Sequence, residues 1–266
     1  MTPGNRLACG LAVVALTGVL INLVVLVAAP ILRPDLDQFQ KSLSYYAIGP
    51  WGVLQAIAFA ALGISSVALG IALHRTGPAS CWRWPTVVLL TVSGVASLAL
   101  DWYPMGAPGP ETILGDAHQM AGTIGGVAQL TAALVFTIAI RTDPAWRGLF
   151  PTAVTMFLLA LAGATLSQAA IWWPHLGIPM GATMRLLVVP LLALWGLVAL
   201  RLHRSCDKPV SPHERSPLSR LDGPGTRDAG GGWGRGPVAG GSDRSNSRIT
   251  QSDAGTSPPQ YSCRPD

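Results

Sequence analysis

The sequence predicts an all-α membrane protein with six transmembrane helices, and three observations support this fold class. Half of the 266 residues are hydrophobic and only 12% are charged, whereas about a quarter of the residues in soluble domains are charged. Six apolar stretches approach or exceed the roughly 20 residues that cross a bilayer core. Lys and Arg are also distributed unevenly between the loops, which is typical of multi-pass membrane proteins.

The apolar stretches define the predicted spans, which cover residues 7–29, 51–73, 86–103, 113–140, 149–171 and 180–200. The first stretch is longer than the roughly 7–15 apolar residues of a secretory signal, and we therefore interpret it as a retained helix. The third is the shortest and ends beside Asp101. The fourth is long enough to tilt or to begin outside the bilayer.

The distribution of positive charge predicts that both termini are cytosolic. In this orientation, eight Lys and Arg residues lie in or near the inner loops, and three lie in or near the outer loops: Arg33, Lys41 and Arg185. An excess of Lys and Arg on the cytosolic side is the usual arrangement. Trp and Tyr residues at both ends of the spans fit the same assignment, because aromatic side chains prefer the two membrane interfaces. We expect a multi-pass protein of the cell (plasma) membrane.

Two segments follow from the composition: a transmembrane domain over residues 1–205 and a disordered cytosolic tail over residues 206–266. The tail is dominated by Gly, Pro, Ser and Arg, and it lacks the apolar residues needed to offset the entropy of folding. Ten of the 18 Lys and Arg residues lie in residues 201–266. They form no concentrated basic patch, so we expect no nucleic-acid partner.

The four cysteines predict neither a disulfide nor a metal site. Cys9 lies near the inner end of the first span, and Cys81, Cys206 and Cys263 lie in segments assigned to the cytosol. Cytosolic thiols normally stay reduced. The sequence contains no CxxC pair that would indicate a metal-binding motif.

The residues that depart furthest from a plain membrane span lie between Asp101 and Gln129. Ionisable and amide groups in membrane segments are costly unless they are partnered, which makes them functional candidates. His118 is predicted to face the bundle interior, and it shares a helical face with Gly122, Gly125 and Gln129. This face predicts a polar groove with a glycine floor, although close helix packing would also explain the glycines.

Five side chains are the candidate ligand-binding residues of an outward-facing pocket: His118, Asp101, Arg185, Gln129 and Tyr46. Arg185 would snorkel to the interface, pair with Asp101 or Asp116, or bind an anionic headgroup. Tyr46 belongs to an outer loop that would cap the bundle or cover a cavity as a lid. Our hypothesis is recognition or transport of a small or lipid-like ligand. The expected partners are membrane lipids and a small or amphipathic ligand.

Two alternative functions stay open. A metal-dependent membrane-embedded hydrolase acting on a lipid would use His118, Asp101 and His175 as ligands and keep one position for water. Asp116 and His118 diverge on a helix and cannot chelate one ion together, and neither HExxH nor GxSxG is present. The sequence therefore favours a non-enzymatic role without a cofactor. In the other alternative the protein is a non-catalytic scaffold whose polar residues only hold helices together.

Three features of the sequence are similar to those of a known protein family. They are the hydropathy of six spans, the segment Tyr46-Ala47-Ile48-Gly49-Pro50 followed by Gly52, and Tyr103-Pro104 followed by a Pro/Gly loop and His118. On these features the chain resembles, over about residues 10–200, the bacterial integral-membrane family domain-of-unknown-function 998. In that family an acidic residue commonly follows the aromatic-Pro pair, whereas here Met105 and Gly106 follow it and the nearest acid is Asp101. The resemblance implies a six-span fold and a site residue at His118, and it leaves the ligand open.

Overall fold

The computed structural model describes residues 3–78, 81–103 and 113–206. Within these ranges the regular structure is entirely helical, and six helices are long and apolar enough to cross a membrane. The helices are α1 (Pro3–Leu32), α2 (Gly52–Thr76), α3 (Arg83–Trp102), α4 (Ile113–Arg141), α5 (Phe150–Trp172) and α6 (Met180–Cys206). Short 3-10 helices cover Leu43–Ala47, Arg147–Leu149 and Pro174–Leu176. The predicted fold class, an all-α multi-pass membrane protein, is confirmed.

Each predicted span falls on one of the six helices, and the main differences are at the ends. α6 continues from the predicted end at residue 200 to Cys206. Its last turn carries His203 and Arg204, and positive charge there complements the helix dipole beyond the apolar stretch. The predicted Pro/Gly turn over residues 104–112 lies outside the described residues, as does the predicted tail beyond Cys206.

The helices pack as a ring in chain order. α1 packs against α2, α2 against α3, α3 against α4 and α5 against α6, and α6 also packs against α1. α4 and α5 contact each other much less than these pairs do. α5 is also the least buried of the six spans. We call the loosely packed boundary between these two helices the α4–α5 seam.

Glycines set the spacing of two tightly packed helix pairs. A Cβ atom at Gly63 of α2 would lie 2.8 Å from the carbonyl oxygen of Gly94 in α3, and a Cβ at Gly94 would lie 2.7 Å from the carbonyl oxygen of Gly63. A Cβ at Gly18 of α1 would lie 2.6 Å from the carbonyl oxygen of Ala61 in α2. Larger residues at these positions would push the helices apart.

The apolar core fills one half of the bundle. Phe136 of α4 packs edge to face against Trp146 and Trp195, with ring centroids 5.9 and 5.7 Å apart. The surrounding core comes from the starts of α1, α3 and α5 and the ends of α2, α4 and α6. We call this the inner end, following the predicted orientation, and the end with the α1–α2 loop (residues 33–51) the outer end. Large side chains therefore close the inner half.

The α1–α2 loop folds over the outer end and contacts α6. The backbone N–H of Ala182 donates to the carbonyl oxygen of Phe39 at 3.0 Å, and the Arg185 guanidinium donates to the carbonyl oxygen of Gln38. Gly181 permits this approach, because a Cβ atom there would collide with carbonyl oxygens of the loop. The loop therefore lies across the bundle from α1 to the start of α6.

Arg33 holds the two ends of this loop together and forms an ion pair with the exposed Asp35. Arg33 pairs with Asp35 at 2.8 Å and also donates to the carbonyl oxygen of Ile48. The hydrogen bond from Arg33 holds the pKa of the Asp35 carboxyl below its usual range. Because the pKa is lowered on folding, the stabilisation is present at neutral pH and is lost as the pH falls through the lowered value. Solvent screening makes this contribution small.

Cys9, in α1 near the inner end, is disulfide-bonded. The expectation of no disulfide is therefore wrong for this residue. The assigned compartment predicts that thiols stay reduced, and it carries no information about which thiols the fold brings together. Cys81, between α2 and α3, is a free thiol.

Candidate functional site

Two adjoining cavities occupy the outer half of the bundle. The central cavity, of about 160 Å³, lies between α2, α3, α4 and α6 beneath the α1–α2 loop. The lateral cavity, of about 380 Å³, lies between α4, α5 and α6 along the α4–α5 seam. Six residues line both: Ser44, Leu100, Gly122, Gly126, Met184 and Leu187. The two cavities therefore meet along α4 and α6.

Glycines on α4 leave the space for these cavities. A Cβ atom at Gly126 would have no described atom within 4 Å, and one at Gly122 would meet only a Leu100 methyl group at 3.9 Å. At Gly125 a Cβ would instead lie 3.3 Å from the Cβ of Ala96 on α3. The predicted floor of Gly122 and Gly125 is therefore divided: Gly122 faces open space, as its neighbour Gly126 does, and Gly125 packs α4 against α3.

His118 is the buried polar residue at the outer end of the lateral cavity. It is 4% exposed and lies in the second turn of α4. Its Nδ1 is 2.7 Å from the carbonyl oxygen of Tyr103, and its Nε2 is 3.1 Å from the Ser44 hydroxyl. The Phe59 ring packs edge-on, with 6.1 Å between centroids. His118 thus links α4 to the end of α3 and to the α1–α2 loop through both ring nitrogens.

Gln129 is the other predicted site residue that lines a cavity. It is 7% exposed, lies at the central cavity and accepts a long hydrogen bond of 3.5 Å from the Ser93 hydroxyl of α3. Asp101 lies in the last turn of α3. It is exposed and lines neither cavity. The structure thus brings His118 and Gln129 to adjoining cavities and leaves Asp101 at their margin.

Tyr46 and Arg185 lie outside both cavities. Tyr46 is 2% exposed and packs against valine and alanine side chains of α1 and α2. Arg185 bonds to the loop carbonyl of Gln38 and does not form the ion pair with Asp101 or Asp116 that was one of its three sequence-based alternatives. In the described structure these two side chains therefore hold the outer end together.

Arg185→Met is expected to loosen the α1–α2 loop. Arg185 bonds to the carbonyl oxygens of Gln38 and Gly181, and hydrogen bonds from a charged group contribute about 1.5–3 kcal/mol. Because the guanidinium is partly exposed, we expect the lower value and a fall in Tm of roughly 5 °C. Circular dichroism of the detergent-solubilised protein during heating would measure it. The control is Arg75→Met, at an exposed arginine of the inner end. Equal Tm values in the two variants would contradict a role of Arg185 in holding the α1–α2 loop against α6.

The metal-site alternative lacks a cluster of ligands. Among the described residues, no three His, Cys, Asp or Glu side chains are close enough to hold a metal ion. His175 is exposed in the 3-10 helix between α5 and α6, whereas His118 is buried and partnered at both nitrogens. The described part of the chain therefore does not assemble Asp101, His118 and His175 around an ion.

Ser44 is the cavity residue that the sequence did not place among the ligand-binding candidates. It is one of two serines in the outer loop, with Ser42, and no GxSxG motif surrounds it. Its contact with His118 joins residues 74 positions apart and depends on how the loop folds back over the bundle. Met184 and Leu187 form the apolar wall opposite α4, and in the sequence they look like any other residues of an apolar span.

The model of one protein family, described as "Protein of unknown function (DUF998)", matches residues 16–201. This range includes every residue that lines the two cavities. No curated protein and no solved structure matches the chain. The resemblance predicted from Tyr46-Ala47-Ile48-Gly49-Pro50, Tyr103-Pro104 and His118 is confirmed.

Proposed function

The chain belongs to the DUF998 family of proteins of unknown function, and we propose that this member binds a neutral, lipid-like ligand in the cavities beside His118. The ligand's polar headgroup lies near His118 and Ser44 at the outer end. Its apolar chain lies along Gly122 and Gly126. Following the predicted orientation, the ligand enters from the outer leaflet of the plasma membrane.

The lateral cavity is the observation that carries this proposal. Its volume of about 380 Å³ lies within the range of small-molecule sites, about 300–1,000 Å³. Val127 of α4 and Ile171 of α5 line the cavity and are 60% and 44% exposed. The cavity therefore borders the bilayer hydrocarbon along the α4–α5 seam, where a ligand with an apolar chain has direct access.

The lining favours an uncharged headgroup. The polar side chains that line the lateral cavity are Ser44, His118, Gln119, Thr123, Ser167 and Gln168. Among the described residues that line either cavity, none is Asp, Glu, Lys or Arg. Hydroxyl, ester or amide groups match these donors and acceptors, whereas a phosphate or carboxylate would lose its hydration without gaining a cation. A monoacylglycerol has the required chemistry.

Recognition fits the closed inner half of the bundle better than transport does. Phe136, Leu194 and Trp195 are each at most 3% exposed and belong to the core below the cavities. A ligand in the central cavity reaches Gln129 and then meets this core. Movement across the membrane would require α4 and α6 to separate where their large side chains interlock, and binding does not.

Monooleoylglycerol is expected to raise the Tm of the parent protein, and His118→Ala should remove the shift. A ligand at about 100 times its dissociation constant stabilises a protein by about 2.7 kcal/mol, which corresponds to roughly 5 °C or more for a domain of this size. The alanine variant removes the imidazole that contacts Ser44 and Tyr103 at the headgroup end. Circular dichroism in matched detergent, with and without the lipid, would measure both shifts.

His74→Ala is the matched control for this experiment. His74 packs against Trp84 at the inner end, with the rings tilted by 44° and their centroids 4.4 Å apart, and it lines neither cavity. This variant should keep the full lipid-induced shift. Oleate, which has the same chain with a carboxylate, should produce a smaller shift in the parent. Equal monooleoylglycerol shifts in His118→Ala and the parent would contradict the proposal.

A further inference from the structure

The hydrogen bonds of His118 define which ring nitrogen carries the proton. Nδ1 lies 2.7 Å from the carbonyl oxygen of Tyr103, and a carbonyl oxygen only accepts hydrogen bonds. Nδ1 is therefore the donor. In the neutral imidazole the lone pair is then on Nε2, which lies 3.1 Å from the Ser44 hydroxyl. The hydroxyl of Ser44 thus donates its hydrogen to Nε2.

This arrangement has the parts of an activated serine. A nucleophilic hydroxyl is bonded to a base, and the other nitrogen of the base is held by an acceptor that fixes its tautomer and orientation. Here the acceptor is the backbone carbonyl of Tyr103. Ser44 and His118 both line the lateral cavity, and Ser44 is only partly buried. A bound molecule therefore has access to the serine oxygen.

From this geometry we propose that Ser44 and His118 form a nucleophile and base that cleave the ester of the neutral lipid in the cavity. This inference rests on the proposed function. The Ser44 oxygen bonds to the ester carbonyl carbon as its proton passes to Nε2 of His118. The carbon–oxygen bond to the alcohol then breaks, and the alcohol leaves with that proton. Water, deprotonated by His118, attacks the acyl group on Ser44, which releases the fatty acid and restores the hydroxyl.

The cavities place an ester at the level of Ser44. Ser44 lines both cavities, so an acyl chain lying along Gly122 and Gly126 has its ester at the outer end, beside the serine. The Gln119 side chain lines the same lateral cavity, and its amide N–H groups are donors for the oxyanion that forms on the carbonyl oxygen. The released alcohol and the incoming water exchange through the outer end, where Ser44 is partly exposed.

A long-chain fluorophosphonate tests the pair directly, because it phosphonylates serines that a base activates. The full-length, detergent-purified protein should be labelled at Ser44, as located by mass spectrometry of the modified peptide. Ser44→Ala should abolish labelling, and His118→Ala should slow it about 100-fold or more, since general-base catalysis contributes about 10²–10⁴ in rate. The control is Ser42→Ala, in the same loop but outside both cavities. The fluorophosphonate should label Ser44 in this variant at the same rate as in the parent.

The second measurement is release of oleate from monooleoylglycerol, with the Tm shift recorded on the same samples. The parent and Ser42→Ala should release oleate and be stabilised by the lipid, and Ser44→Ala should release none. A lipid-induced shift in both proteins, without Ser44 labelling or oleate release, overturns the catalytic pair and leaves the binding site standing. Absence of any lipid-induced shift, by contrast, contradicts the proposed function itself. Equal labelling of the parent and Ser44→Ala also overturns the assignment.

Discussion

Gly163→Val is expected to separate α5 from α6 and to destabilise the protein by about 3 kcal/mol or more. A Cβ atom at Gly163 would lie 2.6 Å from the carbonyl carbon of Leu186 and 2.8 Å from the Cα of Leu187. These are backbone atoms, so a change of rotamer cannot relieve the collision. Overpacking typically costs about 1–3 kcal/mol where side chains can adjust, and we expect a value at or above the upper limit. The corresponding fall in Tm is roughly 10 °C.

The effect of this substitution extends to the lateral cavity. α5 is the least buried span and is held mainly by α6, and it contributes Ala164, Ser167 and Gln168 to the cavity wall. Gly163→Val should therefore also weaken the stabilisation by monooleoylglycerol. Gly10→Val is the matched control, because a Cβ at this α1 glycine has no described atom within 4 Å. An unchanged Tm in Gly163→Val would mean that α5 and α6 approach less closely than the structure has them.

The fold was predictable because one energy term dominates it. Burying an unpaired backbone group in hydrocarbon costs several kcal/mol, so each long apolar stretch must form a helix across the bilayer. This reasoning located all six spans. It did not locate the true end of α6, because helical hydrogen bonding continues past the apolar stretch to Cys206. It also did not predict that α5 would pack closely on one side only.

The candidate site was only partly predictable, because a polar residue in an apolar segment indicates a partner without identifying it. His118 and Gln129 do lie at cavities. Arg185 gave the same signal in the sequence, but its partner is the loop carbonyl of Gln38. Tyr46 is packed between α1 and α2. Ser44 was not among the predicted ligand-binding residues, because its contact with His118 depends on a loop that folds back onto α6.

The roles of individual glycines in α4 were also not predictable from the sequence. Gly125 and Gly126 are adjacent in sequence, yet successive residues of an α-helix point about 100° apart. One of them packs against Ala96 at 3.3 Å, and the other has no described neighbour within 4 Å of an added Cβ. The pattern of small residues predicted close packing and a groove as alternatives. The rotation of α4 against α3 assigns one role to each glycine.

Gly126→Phe is expected to fill the cavities and to abolish lipid binding without unfolding the bundle. Gly126 lines both cavities, and an added side chain starts in open space. The ring therefore occupies the room that the acyl chain needs. We expect the affinity for monooleoylglycerol to fall at least about tenfold, which is about 1.4 kcal/mol. The lipid-induced Tm shift would fall with it, while the Tm without lipid stays close to that of the parent.

Two other glycine-to-phenylalanine variants determine what this result means. Gly10→Phe makes the same chemical change at a helical glycine outside the cavities, so it should keep the lipid-induced shift. Gly125→Phe should lower the Tm measured without lipid. A Cβ at this position would already lie 3.3 Å from the Cβ of Ala96 in α3, and the phenyl ring adds to this crowding. A full shift in Gly126→Phe would place the lipid elsewhere and remove the basis for a site beside His118. If Gly126→Phe lowers the Tm without lipid as much as Gly125→Phe does, Gly126 faces a packed helix. An open cavity accommodates the ring, whereas a packed interface does not.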